Sequence, residues 1–124
     1  MRLQRKYSMT QHAEFSRTRK DGEAKGGAYL VLSTLSDPSL PHHKAGIIAT
    51  RKIGNAVTRN LIRRRIHAIL AKHIDHINGQ YNGKNGNRYI VTVLRWRAPE
   101  ATLDQLEKDW LKQARRLGIL NPDA

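Results

Sequence analysis

The stretch from Thr50 to Ile77 constrains this chain more than any other. Six fixed positive charges occur within fifteen of its residues, at Arg51, Lys52, Arg59, Arg63, Arg64 and Arg65. No acidic residue follows them before Asp75. Because residues three and four apart are neighbours on a helix surface, Arg59 and Arg63 should share one stripe, with Asn60 and Arg64 beside it.

Apolar side chains in the same stretch recur at the spacing of a buried helix face. They are Val57, Leu61, Ile62, Ile66, Ile69, Leu70, Ile74 and Ile77. The stretch is therefore predicted to be one amphipathic helix, apolar on one side and rich in arginine on the other. Like charges along a helix destabilise it, and a polyanionic partner would remove that cost. The alternative, a basic face exposed only to solvent, is typical of lysines that alternate with acids.

The charge of the whole chain favours nucleic acid as the partner. Lys and Arg number 23 against 10 Asp and Glu, which gives a net charge of +13. No apolar run approaches the ~20 residues that span a bilayer, and the N-terminal residues include no apolar segment for export. We therefore expect a cytoplasmic protein with no membrane partner. The absence of cysteine excludes disulfides, thiolate catalysis and cysteine-ligated zinc.

The 124 residues are predicted to form a single RNA-binding domain over 1–124, with a basic lead-in at about 1–7. Glycine-rich stretches at 21–27 and 78–87 are predicted to be loops. One further short strand is possible, but the sequence does not indicate where it lies. The predicted order is helix, strand, strand, helix, strand, helix. The helices are predicted to begin near Ser8, Thr50 and Thr102, and the first and last of them to end at Gly22 and Gly118. The strands are predicted at 28–35, 45–50 and 88–96.

The segment RKIGNAVTRNLIRRR resembles the signature of the bacterial ribonuclease P protein subunit. That signature is a basic pair, a glycine, Ala-Val and then Arg-Asn-x-x-basic-Arg. It is matched by Arg51, Lys52, Gly54, Ala56, Val57, Arg59, Asn60, Arg63 and Arg64. Nearer the N-terminus, Leu3, Phe15 and Gly22 fit the family's spacing of leucine, phenylalanine and glycine.

The resemblance implies a fold and a function. The fold would be a single α/β (α+β) domain with helices packed on a small central β-sheet. Its left-handed βαβ crossover would be similar to that of the second domain of ribosomal protein S5. The chain would bind ribonuclease P RNA and the 5′ leader of precursor tRNA, assisting endonucleolytic removal of the leader by the RNA subunit. Mg²⁺ is expected with that RNA, and no obligate protein partner is predicted.

The resemblance also implies two sets of binding residues. Leader-binding residues would be Phe15, Arg19, Tyr29 and Ser33, although Phe15 could equally be a core anchor. His67 stands where the family often has another arginine, and Arg19 and Ser33 stand where aromatic residues are frequent. The catalytic RNA would be bound by Arg51, Lys52, Asn55, Arg59, Asn60, Arg63, Arg64, Arg65 and His67.

No catalytic residue and no metal site is predicted in this chain. Hydrolysis of a phosphodiester would need clustered carboxylates or an activated acid and base. Asp104, Glu107 and Asp109 are close in sequence but are predicted to form a solvated acidic face. The histidine pairs at 42–43 and 73–76 lack a third ligand at recognisable spacing. The alternative functions are a ribosomal-type RNA-binding protein without a role in cleavage, and an independent nuclease.

Overall fold

A computed structural model of the chain describes residues 3–77, 80–81 and 84–121. Within these residues, three α-helices and a four-stranded mixed sheet form one α+β domain. The helices are α1 (His12–Asp21), α2 (Ala56–His73) and α3 (Leu103–Leu117). The strands are β1 (Glu23–Gly26), β2 (Leu30–Ser36), β3 (Lys44–Ile48), β4 (Gln80–Tyr81), β5 (Lys84–Asn85) and β6 (Arg88–Leu94).

The main sheet has the strand order β1-β2-β6-β3, and β4 pairs with β5 in a separate hairpin. β2 is antiparallel to both of its neighbours, whereas β3 is parallel to β6, with Ile48 opposite Val93. α2 therefore lies in the connection between two adjacent parallel strands, as in a βαβ unit. The predicted α+β class is confirmed, and the predicted strand beginning at Arg88 lies between β2 and β3 in the sheet.

The two faces of the sheet carry separate apolar clusters because side chains alternate along a strand. Ile90 and Leu94 belong to the main core, which also contains the buried residues of α2 and α3. Tyr89 and Val91 belong to a smaller cluster, against which Phe15 of α1 packs. α1 thus covers one face of the sheet, and α2 and α3 cover the other.

The predicted single helix from Thr50 to Ile77 is divided into three parts. Arg51–Ile53 forms a 3-10 turn, and Gly54 follows with φ of 148°, a conformation that favours glycine. Asn55 then caps α2, because its side-chain oxygen accepts a hydrogen bond from the Thr58 N–H at 2.9 Å. A second 3-10 turn follows the end of α2.

The predicted apolar face of α2 is wrong at its N-terminal end. Val57 is 78% exposed and Leu61 is 40% exposed, whereas Ile62, Ile66 and Ile69 are buried. Successive helix residues point about 100° apart, so a helix that rests on the sheet through Ile62 turns Leu61 to its flank. The apolar spacing was compatible with a wider face than the core covers.

Other element boundaries also differ from the predictions. The predicted loop at 21–27 contains β1, whose four residues are all exposed and which is held by backbone pairing with β2. α1 is capped by Gln11 with Glu14, while Ser8 instead bridges to Ala45. The predicted loop at 78–87 contains β4 and β5, and its residues 78–79 and 82–83 lie outside the described residues, as do 1–2 of the lead-in.

The predicted ends of α1 and α3 are confirmed. α1 ends at Gly22. Thr102 and Gln105 form a reciprocal capping box at the start of α3. Gly118 ends this helix in the left-handed conformation, with φ of 70°. No helix within the described residues has the length and apolar character to span a membrane.

Candidate RNA-binding surfaces

The outer side of α2 carries four predicted RNA-binding residues, Arg59, Asn60, Arg63 and Arg64, which we call the α2 surface. Asn60 and Arg64 are exposed, and Arg59 and Arg63 are half-buried. Arg63 lies 3.5 Å from both the Asn60 Oδ1 and the Ala49 carbonyl oxygen. None of the ion pairs in the described part of the chain includes these arginines. Their charges therefore remain available to a polyanion.

The segment that precedes α2 adds two more exposed cations to this side of the molecule. Arg51 and Lys52 lie in the 3-10 turn between β3 and α2, and both are exposed. Asn55 is also exposed, but its side-chain oxygen already accepts the capping hydrogen bond. Its local role is thus to start α2 and hold the arginines in helical register.

Arg65 and His67 have different surroundings from the other predicted RNA-binding residues. Arg65 donates a hydrogen bond from Nη1 to the Ala101 carbonyl oxygen at 2.9 Å, which ties α2 to the segment before α3. His67 is half-buried and lines a cavity of about 380 Å³ together with Leu3, Arg5 and Ser8. These two residues face neighbouring parts of the protein, and their contact with RNA stays a prediction.

An open cleft of about 390 Å³ lies between α1, the end of β3 and α2. The Phe15 ring is half-buried and packs directly over Gly46, where a β-carbon would overlap it. Phe15 therefore both packs on the smaller apolar cluster and lines the cleft. The lining residues are His12, Phe15, Ser16, Arg19, Ile47, Ile48, Ala49 and Arg63.

The cleft is positively charged because its two arginines lack ion-pair partners among the described residues. Arg19 comes from α1 and Arg63 from α2, so the charges lie on different walls. Two other basic residues nearby form ion pairs. Arg17 pairs with Asp37 at 2.8 Å, and Lys44 pairs with Glu14 of α1 at 3.3 Å. Hydrogen bonds from Ser39, and then from Arg17, lower the pKa of the Asp37 carboxyl and keep it ionised.

The structure does not bring Tyr29 and Ser33 into this cleft. Ser33 is only 4% exposed, opposite Val91 in the sheet, and offers almost no surface to a ligand. Tyr29 packs against the main core, on the other side of the sheet from Phe15, with the Arg97 guanidinium 5.8 Å from its ring. The sequence resemblance could not separate these positions because strand alternation and the turn at Tyr29 decide which face each residue meets.

Sequence reasoning missed several residues of the cleft. The missed residues of α1 are His12 and Ser16, which lie at helical spacing on the face that carries Phe15 and the predicted Arg19, and Ser16 Oγ is 3.3 Å from His12 Nε2. That spacing was a usable signal. The end of β3 and the side chain of Arg63 reach the cleft only through tertiary packing, and no local pattern indicated them.

Two of the three acids that were predicted to form a solvated face have structural partners instead, whereas Asp104 is exposed, as predicted, and pairs only with the exposed Lys108 at 3.1 Å. Glu107 accepts a hydrogen bond from His73 at 2.9 Å and pairs with Lys72 at 3.1 Å. The hydrogen bond from His73, and to a lesser extent the contact with Lys72, lowers the pKa of Glu107. Asp109 accepts a hydrogen bond from the Tyr29 backbone N–H at 3.0 Å. Among the described residues, no group of three or more His, Cys, Asp or Glu side chains could hold a metal ion.

This is a small α+β domain in which the arginines of α2 form no ion pair within the described residues, and a basic cleft with an aromatic wall lies beside that helix. These features together define a nucleic-acid-binding protein. The model of the Ribonuclease P family matches residues 3–118. The chain therefore belongs to the ribonuclease P protein family, the protein subunits of a tRNA-processing ribonucleoprotein whose partner is ribonuclease P RNA. This membership confirms the resemblance noted in the sequence.

Relatives and solved structures agree with this assignment. The chain is 34% identical over 107 residues to the ribonuclease P protein component of Staphylococcus aureus (strain JH9), which covers 86% of this chain and 85% of that protein. A Staphylococcus aureus RNase P protein structure superposes with a TM-score of 0.80 and 26% identity, covering 93% of this chain and 98% of that one. The Thermotoga maritima RNase P protein shares the fold, with a TM-score of 0.70 at 19% identity over 85% and 92% of the two chains.

Proposed function

We propose that this protein subunit holds the 5′ leader of precursor tRNA in the Phe15 cleft while the α2 surface is bound to ribonuclease P RNA. The observation that carries the proposal is the position of Arg63. Its side chain lies on the α2 surface and also lines the cleft. A substrate strand in the cleft would therefore lie next to the catalytic RNA, and the protein would position one relative to the other.

The α2 surface is suited to the phosphates of a folded RNA. Its arginines, with Arg51 and Lys52 ahead of them, lack carboxylate partners within the described residues, so their charge is not already neutralised. Each phosphate contact made by such a cation releases nearly one counterion, and binding should weaken steeply as salt increases. The fixed geometry of one helix would give the contacts a definite register.

The cleft is suited to a single strand. An unpaired base can stack on the exposed part of the Phe15 ring, an interaction worth ~1–3 kcal/mol per base in single-strand binding proteins. Arg19 and Arg63 lie on different walls, one from α1 and one from α2, and can contact the phosphates that flank that base. A duplex cannot present an unstacked base to such a surface, so the cleft favours the leader over the paired body of tRNA.

Catalysis is assigned to the RNA subunit, with Mg²⁺ bound there rather than on this chain. Activation of water for phosphodiester cleavage needs clustered carboxylates, metal ligands or a paired acid and base. Glu107 is occupied by Lys72 and His73, and Asp109 by the Tyr29 N–H, so these acids serve the packing of α3. Within the described residues they leave no set of side chains arranged for hydrolysis.

Cleavage of precursor tRNA with and without a bacterial ribonuclease P RNA tests this proposal. The protein alone should leave the substrate intact, and the protein with the RNA should lower the substrate concentration that half-maximal cleavage requires. The protein should not lower this substrate concentration when the leader is only one nucleotide long. Metal-dependent cleavage by RNA-free protein, surviving repurification, would contradict the assignment of catalysis. An unchanged reaction on adding protein would favour a ribosomal-type RNA-binding role.

Two arginines of α1 provide a matched pair of variants for the cleft. Arg19→Ala should weaken binding of substrates with a leader and reduce the slope of log affinity against log salt by about one. Arg17→Ala removes the same charge from the same helix, but Arg17 is paired with Asp37 and does not line the cleft. Equal losses for both variants would show that α1 acts only through its total charge.

A further inference from the structure

The two tryptophans of this chain have opposite environments. Trp110 is fully buried and its indole N–H faces the Thr92 hydroxyl at 3.3 Å, whereas Trp96 is 68% exposed. Trp96 lies at the tip of a tight turn in which the Ala98 N–H donates to the Arg95 carbonyl oxygen at 2.9 Å. The turn is anchored to the sheet by a 2.9 Å hydrogen bond from the Arg95 N–H to the Tyr29 carbonyl oxygen. The exposed indole is therefore held on a fixed support.

Three exposed arginines belong to the turn that carries this indole or contact the strand end beside it. Arg95 and Arg97 are its sequence neighbours, and both are exposed. The Arg95 guanidinium lies against Gly26, and Arg116 donates a hydrogen bond to the Gly26 carbonyl oxygen at 3.3 Å. We call Arg95, Trp96, Arg97 and Arg116 the Trp96 surface. It combines an exposed ring with three cations, which is the composition of a site that stacks a base and contacts its phosphates.

The acids near this surface only partly offset its charge. Glu100 lies 3.4 Å from Arg97, but both side chains are about half-exposed, and such a pair is weak in water. Asp109 accepts hydrogen bonds from the Tyr29 N–H and from Gln113, so its oxygens are directed into the protein. Arg95 and Arg116 form no ion pair within the described residues. A polyanion would thus find a net positive surface.

The position of the Trp96 surface indicates which RNA it would meet. β3 and β6 are parallel neighbours, so the chain leaves both strands at the same end of the sheet. Arg51 and Lys52 follow β3 there, and Arg95 follows β6, so the Trp96 surface and the segment that leads into α2 lie at the same end of the sheet. The adjoining Tyr29 packs on the core side that carries α2 and α3, opposite the Phe15 cleft. The leader in the cleft is on the other face of the sheet.

We propose that Trp96 stacks on an unpaired base of ribonuclease P RNA, with Arg95, Arg97 and Arg116 contacting the adjacent phosphates. This contact rests on the proposed function but adds an aromatic anchor outside the arginine motif of α2. A protein partner is less well matched, because the three cations of the Trp96 surface would need a complementary acidic surface. RNA supplies both the π-face and the negative charge.

The test measures affinity of the full chain for an in vitro transcribed bacterial ribonuclease P RNA. Trp96→Ala should weaken binding roughly tenfold, the loss of one stacked base. Trp96→Phe should retain most of the affinity, and Trp96→Leu should not, because leucine is apolar but has no ring. The slope of log affinity against log salt should be unchanged by all three, since the indole contacts no phosphate. Melting temperatures should agree within about 2 °C because the side chain is exposed.

Fluorescence provides a second readout. Trp110 is buried, so quenching of the wild-type emission on RNA addition should disappear in Trp96→Phe and persist in Trp110→Phe. The double variant Arg59→Ala/Arg63→Ala tests the proposed function separately, through a loss of affinity with a flatter salt slope. If that variant loses affinity while all three Trp96 variants bind as wild type, the Trp96 proposal is wrong and the proposed function stands. A change from dimer to monomer in Trp96→Ala, with RNA affinity intact, would assign the surface to a second copy of the chain and also overturn it.

Discussion

Gly46→Ala should close part of the cleft by moving a single side chain. Gly46 is buried in β3, and a β-carbon there would overlap the Phe15 ring and lie 3.2 Å from the Met9 β-carbon. The backbone itself accepts alanine, because the glycines with positive φ among the described residues are Gly54 and Gly118. The strain therefore arises chiefly at the contact with Phe15, which must swing outward into the cleft, and to a lesser extent at Met9.

The cost of this displacement can be bounded. Adding a carbon to a packed contact typically costs ~1–3 kcal/mol, and the open cleft lets the ring move, which favours the lower half of that range. Phe15→Ala should cost about 2 kcal/mol, roughly half the ~3–5 kcal/mol of a fully buried phenylalanine, since the ring is half-buried. With the ring removed, the alanine at position 46 keeps only the 3.2 Å contact with the Met9 β-carbon, which a shift of a few tenths of an ångström relieves. Gly46→Ala should then cost under about 0.5 kcal/mol, giving a coupling of about 1 kcal/mol between the two sites.

The assay is a double-mutant cycle by urea unfolding, with binding of precursor tRNA and mature tRNA measured for the same four proteins. Gly46→Ala should weaken binding of the substrate with a leader, while affinity for ribonuclease P RNA should stay unchanged because α2 is untouched. Additive unfolding free energies would refute the reasoning, since they would mean that the ring does not rest on Gly46. Equal losses for substrates with and without a leader would show that the cleft does not hold the leader.

Three further predictions concern the residues around α2 and the start of β6. Asn55→Ala should lower the free energy of unfolding by about 1 kcal/mol through loss of the helix cap, and Asn55→Asp should restore it in thermal unfolding. Arg65→Ala should cost about 1 kcal/mol of stability through its lost hydrogen bond to a backbone carbonyl, yet should change the salt slope of RNA binding less than Arg59→Ala does. His43 is buried, and its Nδ1 accepts the Arg88 N–H at 3.1 Å; burial lowers the pKa of His43 below its ordinary 6.5. As pH falls, His43 therefore becomes protonated in the unfolded chain before it does so in the folded one. Stability should fall as pH drops below about 6.5 and should not depend on this group at higher pH. His43→Gln should remove this contribution, as measured by denaturant midpoints across pH.

Local chemistry in the sequence was sufficient for several parts of this protein. The capping box at Thr102 and the glycine end at Gly118 depend on residues within one turn, so spacing alone predicted them correctly. The arginine run that identified the family is likewise continuous in sequence. Its helical spacing placed Arg59 and Arg63 together because neighbours on a helix surface are set by 3.6 residues per turn.

Tertiary structure decided which of these local features meet. Arg63 lines the cleft only because α2 packs beside the end of β3, and Arg65 contacts Ala101 only because α3 lies against α2. Tyr29 is separated from Phe15 by the sheet, and β1 exists through pairing with β2 although its own side chains are all exposed. The periodicity of apolar residues indicates which residues share a face of one helix or strand. Contacts between segments that are far apart in sequence determine which face is buried and which segment covers it. No local pattern contains this information.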